Sequence, residues 1–218
     1  MPVHKPLSEE AAGYVREQIR SGRFAGGDRV RAEVIAEELQ ISQTPAREAL
    51  QALRSEGFLE LHPRRGFRVT RMDPKDILDL FAVTSFAAGE LAARATAAAP
   101  NGLAARLRSI HEELERAAAR GDAAALETLN HRFHREINLA ANSRKIADII
   151  QLAMRWVPPK FFASIEGWSS TTLHDHEALL KAMEAGDSDG ARAMMAAHML
   201  HAGNQLAQFV EERGLEST

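Results

Sequence analysis

The histidines of this 218-residue chain are concentrated in its second half, where they could serve as metal ligands. Seven of the nine lie after residue 100, in a part of the chain with a helical pattern. Asn130 and His134 are four residues apart and so share one face of a helix. His176 and His198 lie on two later predicted helices. Three helices could therefore bring three imidazoles and one amide oxygen to a single divalent ion.

The remaining histidines of this half are assigned no ligand role. His131, His174 and His201 are close in sequence to the candidate ligands, so they either hold those ligands by hydrogen bonds or are exposed. His111 is expected to be structural, because a lone histidine in a bundle is more often structural than a ligand. Imidazole nitrogens suit both Zn²⁺ and Ni²⁺, and we predict zinc with nickel as the alternative.

A second group of chemically significant residues lies at the start of a short predicted helix. Thr44 is expected to cap this helix, and Pro45 to occupy its first position, where a missing N–H has no cost. Thr44 and Arg47 share a face, and Ser42 and Gln43 precede them. An arginine there can bind guanine O6 and N7 in the major groove, while hydroxyls and a helix N-terminus suit phosphate. The opposite face is apolar and is expected to be buried: Ala46, Ala49, Leu50 and Leu53.

A short β-hairpin is predicted to follow this helix, which ends at Gly57. Apolar and polar residues alternate at 58–61 and again at 67–70, which is the period of a strand. Two earlier helices are predicted at 7–21 and 32–39, with Val34 among the residues that face inward. Three helices and a hairpin within about seventy residues are typical of a winged helix-turn-helix.

The tip of the hairpin carries two arginines and a glycine. Arg64 and Arg65 would lie along the backbone or minor groove of a DNA duplex, and Gly66 permits a tight turn and close approach. The alternative is that these arginines are merely solvated and that Arg47 pairs with a carboxylate such as Glu48 or Glu56. The whole constellation favours DNA binding.

The composition adds weaker support. The net charge is −3, but residues 1–71 carry 12 Lys and Arg against 10 Asp and Glu, whereas the remainder carries 15 against 20. The absence of cysteine excludes disulfides and thiolate metal sites. No signal sequence and no apolar run of membrane-spanning length is found, so we expect a cytoplasmic protein without a membrane partner.

The fold class predicted from these patterns is mainly α. A winged helix-turn-helix DNA-binding domain is expected at 1–71 and an all-helical bundle of about six helices at 72–218, with Asp73 and Pro74 starting its first helix. Irregular structure is expected at 159–171. The predicted helices of the bundle are 76–99, 103–120, 123–141, 145–157, 172–185 and 188–212.

The sequence resembles two known families over nearly its whole length. The first seventy residues resemble the GntR-type bacterial transcription regulators in LSEEAAGYVREQIRSGRFAGGDRV, ISQTPAREALQALRSEGFLE and HPRRGFRV. The remainder resembles the FCD effector domain of the FadR subgroup in LNHRFHREINLAANS and HDHEALLKAMEAGDSDGARAMMAAHM. The resemblance implies a homodimer that binds palindromic operator DNA and a C-terminal domain that binds an effector and dimerises.

The resemblance also implies a metal site and an effector class. The FCD pattern is an Asp-x-x-x-His pair and two later histidines, which correspond here to Asn130, His134, His176 and His198. Asn130 supplies a neutral amide oxygen in place of the carboxylate, which is expected to weaken metal binding. A small organic acid would bind at or near the metal.

Two further positions depart from the family pattern. Gln43 stands where the family often has arginine, which can alter the operator sequence or affinity. Thr84 stands where many relatives carry an arginine in a pattern resembling R-x-x-L-E, so the effector lacks its usual second anchor. Candidate substitutes for that arginine are Arg132, Arg135, Arg155 and Lys160.

The sequence is compatible with three functions to different degrees. The preferred one is a transcription repressor that releases its operator when a small effector binds. The alternative is a metal-dependent enzyme acting on a small organic acid, but the chain has no HExxH, no paired Glu-x-x-His motif and no nucleophile elbow. Its nearest such piece is the run His174-Asp175-His176-Glu177. A third reading, a structural DNA-associated protein without an effector, does not account for the histidine spacing. We therefore predict that the protein is not an enzyme.

Overall fold

A computed structural model describes residues 6–63, 65–98, 100, 102–155, 157 and 165–212. Contacts divide the chain into two compact units, which adjoin in sequence at Met72 and Asp73. Within the described ranges, no helix is long and apolar enough to cross a membrane.

The first unit combines helices with a small sheet. Its strands β1 (Arg29–Val30), β2 (Leu59–His62) and β3 (Gly66–Val69) form one antiparallel sheet in the order β1-β3-β2, with Leu59 opposite Val69 and Glu60 opposite Arg68. The predicted hairpin is confirmed, whereas the two-residue strand β1 is too short to show a period and was not predicted. The elements are α1 (Leu7–Arg20), β1 (Arg29–Val30), α2 (Ala32–Leu39), α3 (Gln43–Ser55), β2 (Leu59–His62) and β3 (Gly66–Val69).

The core of this unit is built from one face of each helix and from the sheet. The four apolar residues predicted on the inner face of α3 are all fully buried. They meet Val15 of α1 and Ile35 of α2 in a single cluster. Val34 is exposed, contrary to the prediction, because α2 turns its Ala32, Ile35 and Ala36 side inward.

Helix α3 begins earlier than predicted. Ser42, in extended conformation, is the N-cap residue, and its side chain makes no capping hydrogen bond. Thr44 is therefore not the cap, and Pro45 occupies the third helical position. Proline is tolerated there because the N–H groups of a first turn have no acceptor within the helix.

The second unit is a bundle in which all six predicted helices are present. Helix α8 (Trp168–Glu184) begins four residues before the predicted position 172. The end of the stretch 159–171, which was expected to be irregular, is therefore helical. The rest of that stretch is described only from residue 165 onward. The helices are α4 (Pro74–Ala98), α5 (Leu103–Ala119), α6 (Ala123–Ala140), α7 (Arg144–Met154), α8 (Trp168–Glu184) and α9 (Ser188–Glu212).

The start of α4 is defined by two reciprocal hydrogen bonds. The backbone N–H of Asp76 donates to Oδ1 of Asp73 at 2.8 Å, and the backbone N–H of Asp73 donates to Oδ2 of Asp76 at 3.1 Å. This arrangement is a capping box in which both acceptors are aspartates. Pro74 follows as the first helical residue, as predicted.

Helices α4 and α9, each 25 residues long, approach closely through glycines. A Cβ atom at Gly89 of α4 would lie 2.8 Å from the carbonyl oxygen of Arg192. A Cβ atom at Gly203 of α9 would lie 2.5 Å from Cβ of Phe81. The two helices can therefore pack this closely only because both positions lack side chains. Helix α9 is also one of the helices that carry the candidate ligands.

We expect Gly203→Ala to destabilise the bundle by about 1–3 kcal/mol, because the added methyl group meets the base of the Phe81 side chain. The change is measured as a lower midpoint of urea-induced unfolding. Gly13→Ala is the control, since that helical glycine has no described atom within 4 Å of its built Cβ. The control is expected to be neutral or stabilising by up to about 1 kcal/mol. Equal midpoints for Gly203→Ala and wild type would contradict the close packing.

Candidate metal centre and nucleic-acid interface

Three of the four predicted metal ligands converge inside the helical unit. His134 lies on α6, His176 on α8 and His198 on α9, and one nitrogen of each lies within 4.8 Å of the others. The Nε2 atoms of His134 and His198 are 3.2 Å apart. Three imidazoles that meet from three helices form a common arrangement for binding a divalent transition metal.

His176 is the most deeply buried of the three. Its side chain is fully inaccessible, and neither ring nitrogen has a hydrogen-bond partner among the described residues. The ring stacks on Phe133 at a centroid distance of 4.0 Å, so one face is sealed by an apolar side chain. Buried polar atoms without partners are costly, and an ion would satisfy one of these two nitrogens. This donor set therefore fits a metal.

Asn130 precedes His134 by one turn on α6 and is half-buried. Its Oδ1 atom is buried and, within the described ranges, accepts no hydrogen bond. An amide oxygen in that state is compatible with ligation. The assignment of Asn130 as the fourth ligand stays a prediction.

Asp175 orients His198. Its Oδ2 atom lies 3.3 Å from Nδ1 of His198 and 2.8 Å from Nδ1 of His201. Since a carboxylate only accepts, we assign the proton of His198 to Nδ1, which directs the lone pair of Nε2 into the cluster. Burial raises the pKa of Asp175, but the two histidine hydrogen bonds outweigh it and hold the pKa below its usual value.

Asp175 has no role predicted from the sequence. Its signal was the run His174-Asp175-His176, which places a carboxylate beside a candidate ligand. Carboxylates that hold ligating histidines in one tautomer are a recurrent feature of metal sites. The partner on α9 is not visible from spacing, because it depends on how α8 and α9 pack.

The protonation state of His134 and His176 favours metal binding. Burial lowers the pKa of His134 and of His176 well below the usual range, and the neighbouring imidazole of His198 lowers both further. Neutral imidazoles carry the lone pair that a metal requires. His134 and His176 are therefore in the form that binds a cation without first losing protons.

The other histidines of the bundle fall into two groups. His131, His174 and His201 are exposed, and His201 is the one of the three bonded to Asp175. His111, which was assigned a structural role, is buried close to His176.

Thr84, which stands where relatives carry the arginine that binds the effector, has no hydrogen-bond donor available to a ligand. Thr84 is fully buried, and its hydroxyl donates to the carbonyl oxygen of Leu80 at 2.8 Å. Of the proposed substitutes, Arg132, Arg135 and Arg155 are exposed, and Lys160 lies outside the described residues. None of these three exposed arginines takes the place of a buried arginine that would bind the effector.

The predicted DNA-contacting residues of α3 are all exposed at or near its N-terminus: Ser42, Gln43, Thr44 and Arg47. The Arg47 guanidinium lies 3.5 Å from Glu33, with its own side chain 66% exposed. Glu56, weighed as a possible partner of Arg47, binds Arg16 instead at 2.9 Å. An exposed ion pair of that length contributes little, so Arg47 remains available to a ligand.

At the wing tip, the structure describes two of the three residues that are predicted to contact DNA. Arg65 is exposed, and its backbone N–H donates to the carbonyl oxygen of His62 at 3.0 Å to close the turn. Gly66 has a φ of 79°, in the left-handed region that favours glycine. Arg64 lies outside the described residues.

Comparisons with known proteins agree with this architecture. Residues 7–69 match the model of the bacterial regulatory proteins of the gntR family, and residues 79–201 match the FCD domain. The chain is 27% identical over 194 residues to a "Probable D-xylose utilization operon transcriptional repressor" from Paenarthrobacter nicotinovorans, covering 88% of this chain and 85% of that one.

A second relative is similar both in sequence and in structure. The HTH-type transcriptional regulator McbR from Escherichia coli (strain K12) is 26% identical over 201 residues, covering 88% of this chain and 89% of its own. The solved structure of E. coli McbR/YncC has a TM-score of 0.70 at 24% identity, covering 94% of this chain and 99% of that chain. That structural likeness shows a shared fold, and the two family models together span most of the chain. The protein therefore belongs to the GntR family of bacterial transcription regulators and carries an FCD domain after its DNA-binding domain.

Proposed function

We propose that the protein is a repressor that binds a palindromic operator as a homodimer and is released by a small organic acid. Residues 1–71 read the DNA, and residues 72–218 dimerise and bind the effector at or near a divalent metal. The cluster of His134, His176 and His198, with ligand nitrogens within 4.8 Å of one another, is the observation that carries the proposal. The relative described as a probable operon repressor supports repression rather than activation.

Operator recognition is proposed to depend on the N-terminus of α3. Arg47 makes the base contact, because an exposed arginine on a helix in the major groove binds guanine through two hydrogen bonds. Ser42, Gln43 and Thr44 contact phosphates or adenine, and the wing arginines follow the backbone. This function places the protein with the chromosome in the bacterial cytoplasm.

We expect Arg47→Ala to abolish specific operator binding, with a loss of about 1–3 kcal/mol at each half-site. The fold should be unchanged because the side chain is mostly exposed. The measurement is a gel-shift titration with a duplex selected by the wild-type protein from a random library. Arg54→Ala, which removes the same charge from the exposed last turn of α3, is the control and should bind nearly normally. Equal affinities for Arg47→Ala and wild type would refute the role of Arg47.

The homodimer is proposed to form across an exposed apolar face of α4. Val83 and Phe86 are 60% and 78% exposed, and Leu78 extends the face by two turns. Large apolar side chains grouped on one surface mark interaction sites. A second copy is the fitting occupant, because a palindrome presents two equivalent half-sites and a two-fold interface brings the same patch of each chain together.

We expect Phe86→Asp to convert the dimer into a monomer, because two carboxylates would face each other across the two-fold axis. Light scattering after size-exclusion chromatography gives the mass directly. Leu139→Asp is the matched control, since Leu139 is similarly exposed but lies on α6. If Phe86→Asp remains a dimer at micromolar concentration, the interface lies elsewhere.

The metal is proposed to be Zn²⁺, with Ni²⁺ as the alternative, held by the three histidines and Asn130. When bound, the ion supplies a Lewis acid that attracts the carboxylate of the effector. Asp175 keeps His198 in the ligating tautomer, and Phe133 seals one face of His176. Asn130 adds no charge, so metal affinity is expected to be lower than in relatives with aspartate at that position.

We expect the double variant His134→Ala/His176→Ala to lose bound metal and effector response while still binding the operator. Elemental analysis after Zn²⁺ loading and dialysis measures the metal, and operator release by a panel of small organic acids measures the response. The control is His131→Ala/His174→Ala, which removes two exposed imidazoles from the same helices. Full zinc occupancy in the first double variant would refute the ligand set.

The enzyme alternative is set aside. The matched family and the relatives described above are transcription regulators. A buried histidine cluster in such a chain is better explained as a sensor than as a catalytic centre. Assignment to the FadR subgroup stays a prediction.

A further inference from the structure

We propose that His111 is a positioning residue for the metal centre: it accepts a hydrogen bond from His176, directly or through one water. That bond would determine which nitrogen of His176 carries the proton and which faces the ion. The inference rests on the proposed metal site and adds a residue from α5, the helix between α4 and α6, which contributes no predicted ligand.

His111 is placed for this role by burial and proximity. Its side chain is only 2% exposed, and its ring centroid lies 6.2 Å from that of His176, with the planes inclined by 53°. Its Nδ1 atom is buried without a hydrogen-bond partner among the described residues. A histidine that served packing alone would leave this nitrogen desolvated and unpaired, a cost that an apolar residue would avoid.

The opposite side of the His111 ring determines the tautomer. Its Nε2 atom lies 3.6 Å from Glu115 and 3.7 Å from Glu177. Glu177 is held in place by an ion pair with Arg108, which also binds Glu184. Two carboxylates on one side favour the proton on Nε2, because a carboxylate can only accept. The lone pair of Nδ1 is then left on the buried side of the ring.

His176 supplies the complementary group. Both of its nitrogens are buried and unpaired within the described ranges, and a neutral imidazole carries one N–H and one lone pair. If its N–H faces Nδ1 of His111, its lone pair faces the cluster. With the ring centroids 6.2 Å apart, a small ring movement would allow a direct hydrogen bond, and one water could bridge the two nitrogens without it.

The same device already exists at a neighbouring ligand. Asp175 accepts from Nδ1 of His198 at 3.3 Å and so leaves Nε2 free for the ion. His111 would fix the tautomer of His176 as Asp175 fixes that of His198. Glu177 and Glu115 would in turn fix the tautomer of His111. Outer hydrogen bonds of this kind fix ring orientation and raise metal affinity, and their loss typically costs 10- to 100-fold.

The test compares Zn²⁺ affinity in two variants of the full-length protein, measured by competition with a chromophoric chelator. His111→Leu fills a similar volume without an acceptor, and we expect affinity to fall about 10- to 100-fold. His111→Asn keeps an acceptor near the Nδ1 position and should restore most of the loss. Equal weakening in both variants would show that His111 acts through packing, and it would overturn the proposal.

A second measurement reads the hydrogen bond without metal. Long-range ¹H–¹⁵N spectra of the metal-free protein should show His176 as one tautomer in wild type and in His111→Asn, but as a mixture in His111→Leu. The variant His176→Ala distinguishes a failure of the proposed role of His111 from a failure of the metal site. If it loses Zn²⁺ while His111→Leu keeps wild-type affinity and a single tautomer, only the role of His111 fails. If wild type binds no Zn²⁺, the metal site fails and the tautomers alone decide whether the hydrogen bond exists.

Discussion

The cost of burying imidazole nitrogens without partners is the constraint around which the helical unit is organised. His176 is inaccessible to solvent, and both of its nitrogens lack a described hydrogen-bond partner. Bundle cores normally avoid this state, because apolar side chains fill the same volume without desolvating a polar group. A cation would convert the unfavourable arrangement into a favourable one. The cluster is therefore better explained as a binding site than as core packing.

Such a site needs helices whose separation does not change. The three histidines come from α6, α8 and α9, so a shift of one helix by about 1 Å would spoil ligation. Gly89 and Gly203 keep α9 against α4, because any side chain at either position would meet Arg192 or Phe81. Rigid packing thus provides the geometry, while Asp175 provides the orientation of one ring. The site depends on both.

The DNA-binding unit obeys a different constraint, since its functional residues must be exposed on a rigid support. The inner face of α3 is fully buried, and the outer face presents Arg47. Gln43, Asn130 and Thr84 each place a neutral side chain where the family pattern has a charged one. All three positions are therefore less charged than the family pattern, one of them at the start of α3 and two of them in the helical unit.

The spacing of apolar residues, together with the glycines and prolines that end each segment, determined the helices, the hairpin and the inner face of α3. The same patterns placed the histidines on separate helices. All of these features depend on residues that are close in the chain. Some helix boundaries differ from the prediction by a few residues, because the sequence alone does not distinguish a cap residue from a residue of the first turn. Thr44 is an example. Only the tertiary structure decided that Asp175 holds His198, 23 residues away, and that His111 lies beside His176. Those contacts depend on how helices pack, and no local pattern encodes which face of α5 or α8 meets which neighbour.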